Sequence, residues 1–185
     1  MKKIALLLAS ITFTATSSSA LAAEGFYLGA GVGQGKHSGM PNFGVPVTKS
    51  SDTTYDILAG YSLNDNVAFE AAYTNLGRMT VGTASGKYSA VSLDVVGKLP
   101  ISAISGLSVF GKVGVARTTL NISSNQNFGG TVGKASTSGV TYGFGAGYDF
   151  TPDFGVTLSY ASYRVGDSFN KWNESNVALN GVFHF

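Results

Sequence analysis

The sequence predicts an all-β fold, an eight-stranded antiparallel up-and-down transmembrane β-barrel. Three observations lead to this prediction. Segments of alternating bulky apolar and small or polar residues recur along the chain, and many of its 25 glycines fall within them at strand spacing. After residue 22 no apolar run approaches the roughly 20 residues that a membrane-spanning helix needs. Because successive strand side chains point to opposite faces, each segment has one apolar face and one small, polar face.

The clearest segment is the predicted hairpin from Val140 to Tyr160. Each arm alternates bulky apolar residues with glycine, threonine or serine, and Thr151-Pro152-Asp153 separates the arms. Proline suits a tight turn and cannot serve a sheet ladder. Glycines and small polar groups cannot form a packed core of their own. We therefore predict that the bulky face meets lipid and that the opposite face lines a polar, small-residue lumen.

Residues 1–22 have the pattern of a secretory signal peptide. Lys2 and Lys3 precede a short apolar core, and Ala20-Leu21-Ala22 matches the small-x-small site of a signal peptidase. We predict cleavage after Ala22 or one residue later, which leaves residues 23–185 as the barrel domain. The chain has 12 basic and 10 acidic residues, and the two become equal without Lys2 and Lys3. The mature charge therefore indicates no nucleic-acid partner, and the absence of cysteine excludes disulfides and thiolate chemistry.

Strands and connections alternate regularly along the mature chain. The predicted strands lie at residues 26–33, 54–63, 67–74, 91–99, 107–116, 140–150, 154–160 and 177–185. Three short turns, at 64–66, 100–106 and 151–153, alternate with four longer loops, at 36–52, 77–86, 121–139 and 164–174. Outer-membrane barrels have short periplasmic turns and long outer loops. An even number of strands then brings both ends of the mature chain to the periplasmic side.

Aromatic residues are predicted to form two interfacial girdles, as such barrels have. One set lies near the short turns: Phe26, Tyr61, Phe69, Tyr148, Phe150, Phe154, Phe183 and Phe185. The other set lies nearer the loops: Tyr55, Tyr73, Tyr142 and Tyr160.

The run AGYSLNDNVAFEAAYTNLGRM, with VSLDVVGKLPI, the Thr151-Pro152 hairpin and a last strand ending in Phe185, resembles the transmembrane domain of the outer membrane protein A family. The resemblance covers essentially the whole mature chain. It implies a monomeric Gram-negative outer-membrane barrel among outer-membrane lipid and lipopolysaccharide. Because the chain ends with the last predicted strand, we expect no periplasmic peptidoglycan-binding domain.

The end of the chain also resembles the signal by which the barrel-assembly machinery recognises its clients. The residues that carry it are spaced for one strand face: Val177, Leu179, Phe183 and Phe185. Interfacial anchoring is the simpler reading of Phe185, and both can hold.

Five charged residues have inward parity and form the candidate lumen network: Asp56, Glu70, Asp94, Lys98 and Lys112. Asp149 is a further candidate. Buried charges are costly unless paired or hydrated, so we predict pairs of Glu70 with Lys98 and of Asp94 with Lys112. An eight-stranded barrel is just wide enough for its own side chains. The network then either plugs the barrel or exchanges partners as a gate.

The resemblance implies such a gate, built from acidic residues on strands three and six, a lysine on strand four and an arginine on strand seven. Glu70 matches the first acidic residue. Gly147 and Thr157 replace the second acid and the arginine, and Val96 occupies the lysine position, one inward step from Lys98. The same gate therefore cannot be assumed, and the smaller residues would leave more lumen water.

The preferred functional hypothesis is a structural, envelope-integrity or surface-contact role with at most a narrow gated pore. Two alternatives remain: a surface adhesin or ligand-binding protein acting through the four loops, and a small porin-like diffusion channel. Loop residues available for contact, or for packing within the loops, are Met40, Phe43, Phe128, Phe169 and Trp172. A soluble lipocalin-like carrier would need its glycine-rich face outside.

No enzyme activity, cofactor or metal is expected. His37, with Ser38 and Asp52 in the first long loop, is the single constellation with catalytic residue types. A lone loop histidine is usually solvated surface, and a nucleophile, a base and an orienting group are not evident in the pattern.

Overall fold

The computed structural model describes residues 25–38, 47–49, 51–81, 84–124, 133–167 and 170–185. The strands, in chain order, are β1 (Gly25–Ser38), β2 (Val47–Lys49), β3 (Ser51–Asn64), β4 (Val67–Val81), β5 (Ala84–Pro100), β6 (Leu107–Ser124), β7 (Gly133–Asp149), β8 (Phe154–Asp167) and β9 (Asn170–His184). The predicted signal peptide, residues 1–22, lies outside the described residues.

Eight long strands form a closed antiparallel barrel, which confirms the predicted fold. Each long strand pairs with the next long strand along the chain, and β1 pairs with β9 to close the ring. The short β2 adds a pairing to β4, with Val47 opposite Val81. Closure satisfies the strand backbones without an open edge. In the part of the chain that the structure describes, there is no helix long and apolar enough to cross a membrane.

The three short turns lie where the sequence predicts them, at the same end of the barrel. Asn64 Oδ1 accepts hydrogen bonds from the backbone N–H groups of Asn66 and Val67, both at 2.9 Å. Gly106 has a φ of +83°, which a glycine adopts without strain. The N–H of Phe185 donates to the carbonyl of Phe26 at 2.9 Å, so the two ends of the barrel chain meet at this end.

At the opposite end the strands run much further than predicted. Val81 pairs with Ala84 and Asp167 pairs with Asn170, so most of the second and fourth predicted loops belong to strands. These extensions are rich in glycine, serine and threonine. Their outward positions carry small polar or charged residues, while apolar residues such as Leu76 and Tyr88 face inward. The pattern of a lipid-facing apolar wall therefore stops before the strands end, so it could not reveal the extensions.

The outer wall of the barrel is apolar, as predicted. Phe144 is 61% exposed and Leu93 is 62% exposed, which suits side chains that meet lipid. Around the short-turn end the predicted aromatic girdle is exposed, and its rings contact one another. Phe26 packs on Tyr61 with ring centroids 4.8 Å apart, and Phe183 packs on Phe185 at 5.1 Å.

The lumen differs from the predicted polar, small-residue interior, because it contains two apolar clusters. The lower cluster, nearer the short turns, consists of Tyr27, Leu58, Ala68, Ala72, Val96 and Val182, with Phe110 packed against it. The upper cluster, nearer the long hairpins, consists of Leu76, Tyr88, Ala90, Ala116, Ala161 and Tyr163, with Leu120 packed against it. Charged side chains lie between the two clusters.

Candidate functional site in the barrel lumen

A buried ion pair crosses the lumen between the two clusters. Lys112 Nζ on β6 lies 2.8 Å from Glu70 Oε1 on β4, and both side chains are about one-tenth exposed. Tyr27 on β1 donates its hydroxyl to Glu70 Oε2 at 3.3 Å. Three strands therefore converge on one carboxylate. We call Tyr27, Glu70 and Lys112 the central triad.

The predicted ion-pair partners are wrong. Glu70 pairs with Lys112 and not with Lys98, whose Nζ lies 3.2 Å from Asp149 Oδ2 at the short-turn mouth. Glu70 is directly opposite Asp94 in the β4–β5 register. Lys98 is four residues further along β5, roughly 13 Å away along the strand. Parity correctly assigned these residues to the inner face, but height along the barrel decides which charges meet.

Large inward side chains lie directly opposite glycines on the neighbouring strand. The four pairs are Tyr27 with Gly60, Asn180 with Gly31, Lys112 with Gly143, and Phe110 with Gly145. A methyl group on Gly60 would collide with the ring of Tyr27, and one on Gly143 would lie 3.3 Å from Cε and Cγ of Lys112. The glycines therefore make room for neighbouring side chains, which explains why a glycine-rich face produces a filled lumen.

Two further carboxylates, those of Asp56 and Asp94, lie near the Glu70–Lys112 pair. We call these four residues the charged layer. When the side-chain amide of Asn180 is oriented with its nitrogen towards Asp56, Nδ2 donates to the two carboxylate oxygens of Asp56 at 2.9 and 3.1 Å. Asp94 is 4% exposed, and neither of its oxygens accepts a well-formed hydrogen bond from the described residues, although Ser92 lies nearby. Lys112 attracts all three carboxylates. Lys112 is therefore the one cation that interacts with all three carboxylates among the described residues, and it forms an ion pair with Glu70 alone.

The lumen is open from the short-turn end as far as the central triad. A cavity of about 130 Å³ begins near Lys98, Asp149 and His184 and reaches Glu70 and Lys112. On the other side of the triad the upper cluster packs, and the Tyr163 hydroxyl lies 3.1 Å from Thr74 Oγ1. Water can therefore reach the ion pair from the short-turn end, while apolar packing blocks the path towards the long hairpins.

The other predicted site residues lie in several places. The assembly-signal residues form an outward face at the end of the chain, with Phe185 54% exposed. His37 is in β1 opposite Glu174, and its side chain is not described. Asp52 accepts hydrogen bonds from the backbone N–H groups of Thr53 and Arg78. Met40, Phe43, Phe128 and Phe169 lie outside the described residues, and Trp172 lies in β9 without a described side chain.

Tyr27 and Asn180 are lumen partners that sequence reasoning did not identify. Tyr27 has inward parity among glycines, and a large side chain facing glycines could have marked it. Asn180 carries no such signal, because its partner Asp56 lies two strands away across β1. Among the described residues no group of three His, Cys, Asp or Glu side chains could hold a metal ion.

Comparison with known proteins agrees with this architecture. Neisserial surface protein A is 18% identical, with a TM-score of 0.68, 88% of this chain covered and 99% of that chain. Ail, the attachment invasion locus protein of Yersinia pestis, solved with the heparin analogue sucrose octasulfate, is 14% identical with the same coverage and a TM-score of 0.61. The N-terminal β-barrel domain of Pseudomonas aeruginosa OprF is 18% identical with the same coverage and a TM-score of 0.58.

At these identities the three structures show a shared fold alone. No curated protein matches the chain. The model of the outer membrane protein β-barrel domain family matches residues 5–185. The chain therefore belongs to the outer membrane protein β-barrel domain family, as an OmpA-like eight-stranded barrel of the bacterial outer membrane.

Proposed function

We propose that this protein is a non-enzymatic outer-membrane barrel with a structural and surface-contact role, and that its lumen is closed at rest. The observation that carries the proposal is the central triad, which spans the lumen below the upper apolar cluster. The described strands extend the hairpins of the barrel beyond its apolar outer wall. Such hairpins are suitable for contact with surface partners, and the name of the similar protein Ail, the attachment invasion locus protein, refers to attachment.

Opening the lumen would require two costly rearrangements. The buried pair of Lys112 and Glu70 would have to separate, and separating a buried ion pair leaves uncompensated charges that cost several kcal/mol. Leu76 and Tyr88, both at least 95% buried, would also have to leave the upper cluster. Both requirements favour a barrel that is closed to small solutes for most of the time.

Conductance of the refolded protein in a planar lipid bilayer tests this proposal. We expect no sustained openings from protein whose folding is first verified by the different gel mobility of unboiled and boiled samples. A steady conductance from the folded wild-type barrel would contradict the closed lumen.

A narrow gated pore is the second candidate function, and the cavity that reaches the central triad favours it. In that case brief openings should occur, and Glu70→Gln should make them more frequent because it weakens the bond that holds Lys112. Lys98→Gln is the matched control, since Lys98 lies at the mouth and is 36% exposed. Equal effects of both substitutions would argue against a gate at Glu70.

We also propose that Phe185 contributes to recognition by the barrel-assembly machinery. Deletion of Phe185 should lower the amount of assembled protein in cells several-fold, while refolding of the purified chain into detergent stays nearly unchanged. The matched control is Phe150→Ala, which removes an exposed girdle aromatic at the same end. If both variants lose assembly equally, or if the deletion prevents refolding in detergent, Phe185 acts only as an anchor.

A further inference from the structure

Three exposed cations form a row on the outer wall of the barrel. Arg78, Lys87 and Lys134 lie on β4, β5 and β7, and all three are exposed. The strand registers place Arg78 opposite Lys87, Lys87 opposite Asn121, and Asn121 opposite Lys134. We call these four residues the basic row. It continues across four neighbouring strands.

The height of the basic row places it beyond the apolar belt, on the side of the long hairpins. Leu93, Val115 and Val140 form an aligned aliphatic row on β5, β6 and β7 and are each more than half exposed. Lys87 lies four residues beyond Val91, the last aliphatic residue of this face on β5, or roughly 13 Å along the strand. With the usual strand tilt, Lys87 is then about 10 Å above the belt, at the height of the lipid headgroups.

The first two members of the row are like charges held side by side. Directly opposite residues on one face of an antiparallel pair have Cβ atoms about 5 Å apart, and like charges there are destabilising. Within the described part of the chain, neither Arg78 nor Lys87 forms an ion pair. An anion that bridges the two side chains would turn this repulsion into attraction.

The opposite wall provides a contrast. Lys36 on β1 is also exposed and outward-facing, but its register partners are Ser51 and Ser175. It is therefore a single cation between two hydroxyl residues. The clustering of positive charge is a property of the β4–β7 wall among the described residues, rather than of the whole rim.

We propose that the basic row binds the phosphate groups of lipopolysaccharide in the outer leaflet. Lys87 and its neighbour Arg78 face outward from the wall at headgroup height, so a membrane lipid meets them more readily than a solute above the barrel. Arg78 offers the planar fork that binds phosphate with two hydrogen bonds. The row spans three strand spacings, roughly 15 Å, which suits a headgroup with more than one anionic group. This proposal does not depend on whether the lumen conducts.

Binding of purified lipopolysaccharide to the refolded barrel in neutral detergent tests the proposal. We expect Arg78→Gln/Lys87→Gln to raise the apparent dissociation constant roughly tenfold, since two charge-assisted contacts are lost. Lys87→Gln alone should weaken binding several-fold, and Lys36→Gln, with the same charge change, less than twofold. Lys134→Gln provides an independent variant at the other end of the row. Unboiled gel mobility verifies that every variant is folded.

Two further ligands identify the group that is bound. Enzymatically dephosphorylated lipopolysaccharide should bind as weakly to the wild type as intact lipopolysaccharide binds to the double variant. Equal effects of Lys36→Gln and Lys87→Gln, or unchanged binding after dephosphorylation, would overturn the proposal. Tight, row-dependent binding of soluble heparin with no such dependence for lipopolysaccharide would also overturn it and indicate a soluble polyanion instead.

Discussion

Replacing Lys112 by methionine should destabilise the folded barrel by about 3–5 kcal/mol, the usual cost of removing one partner of a buried ion pair. Methionine keeps most of the length and apolar stem of lysine, so the change mainly removes the charge. It leaves Glu70, Asp56 and Asp94 together without a cation, and Asp94 has no well-formed hydrogen bond from the described residues to help it.

The measurement is the free energy of unfolding in urea, in phospholipid vesicles, followed by the fluorescence of the single tryptophan, Trp172. The matched control is Lys98→Met, which removes a partly exposed pair at the mouth and should cost at most about 1 kcal/mol. The double variant Glu70→Gln/Lys112→Met should recover part of the loss, because it removes one uncompensated charge.

A Lys112→Met barrel as stable as the Lys98→Met barrel would show that water screens the charged layer. In that case water from the short-turn cavity would stabilise the three carboxylates without Lys112, and the Glu70–Lys112 pair would not be what holds the lumen closed. The two variants therefore test stability and lumen hydration together.

Replacing Gly114 by alanine should destabilise the barrel by about 1–3 kcal/mol, the range typical of overpacking. A Cβ at Gly114 would collide with the carbonyl oxygen of Leu93 and would lie 2.7 Å from Cα of Asp94. Both contacts are with the backbone of β5, which cannot rotate away as a side chain can. The change should therefore distort the β5–β6 pairing beside the charged layer.

Gly111→Ala is the matched control for this prediction. Gly111 lies on the same strand but faces outward, and the nearest neighbour of an added methyl would be a carbonyl oxygen 3.9 Å away. We expect its free energy of unfolding to change by less than about 0.5 kcal/mol, as is usual for surface substitutions. Equal stabilities of the two variants, in the same vesicle experiment, would mean that β5 and β6 separate easily at Gly114.

The residues outside the apolar belt show how far periodicity can predict a fold. The predicted strand at 91–99 begins where Val91, Leu93 and Val95 start to alternate with smaller residues, yet β5 begins at Ala84. Residues such as Ser85 and Gly86 pair with β4 through their backbones, and backbone pairing leaves no hydrophobic pattern. The barrel was predictable because lipid imposes one clear apolar face, and its extensions were not because water imposes none.

For the charged residues of the lumen, too, the sequence predicts one property and not another: it predicts that they face inward, but not which of them form ion pairs. Alternation correctly placed Glu70, Asp94 and Lys112 on the inner face, because inward or outward position depends only on the period of two. It could not pair Glu70 with Lys112, which lies two strands away across β5 and one inward step nearer the short turns. Which strands face each other, and at what height, follows from barrel closure and strand stagger.

By itself, therefore, the sequence determined the number of barrel strands, the inverted barrel with its lipid-facing wall, and the inward position of the charges. These properties follow from local alternation and from the residues that form turns. Only the tertiary structure decided the Glu70–Lys112 pair, the contact of Tyr27 over Gly60, and the side-by-side placement of Arg78 and Lys87. Each of these depends on the register between strands, which closure of the whole barrel sets and no single segment encodes.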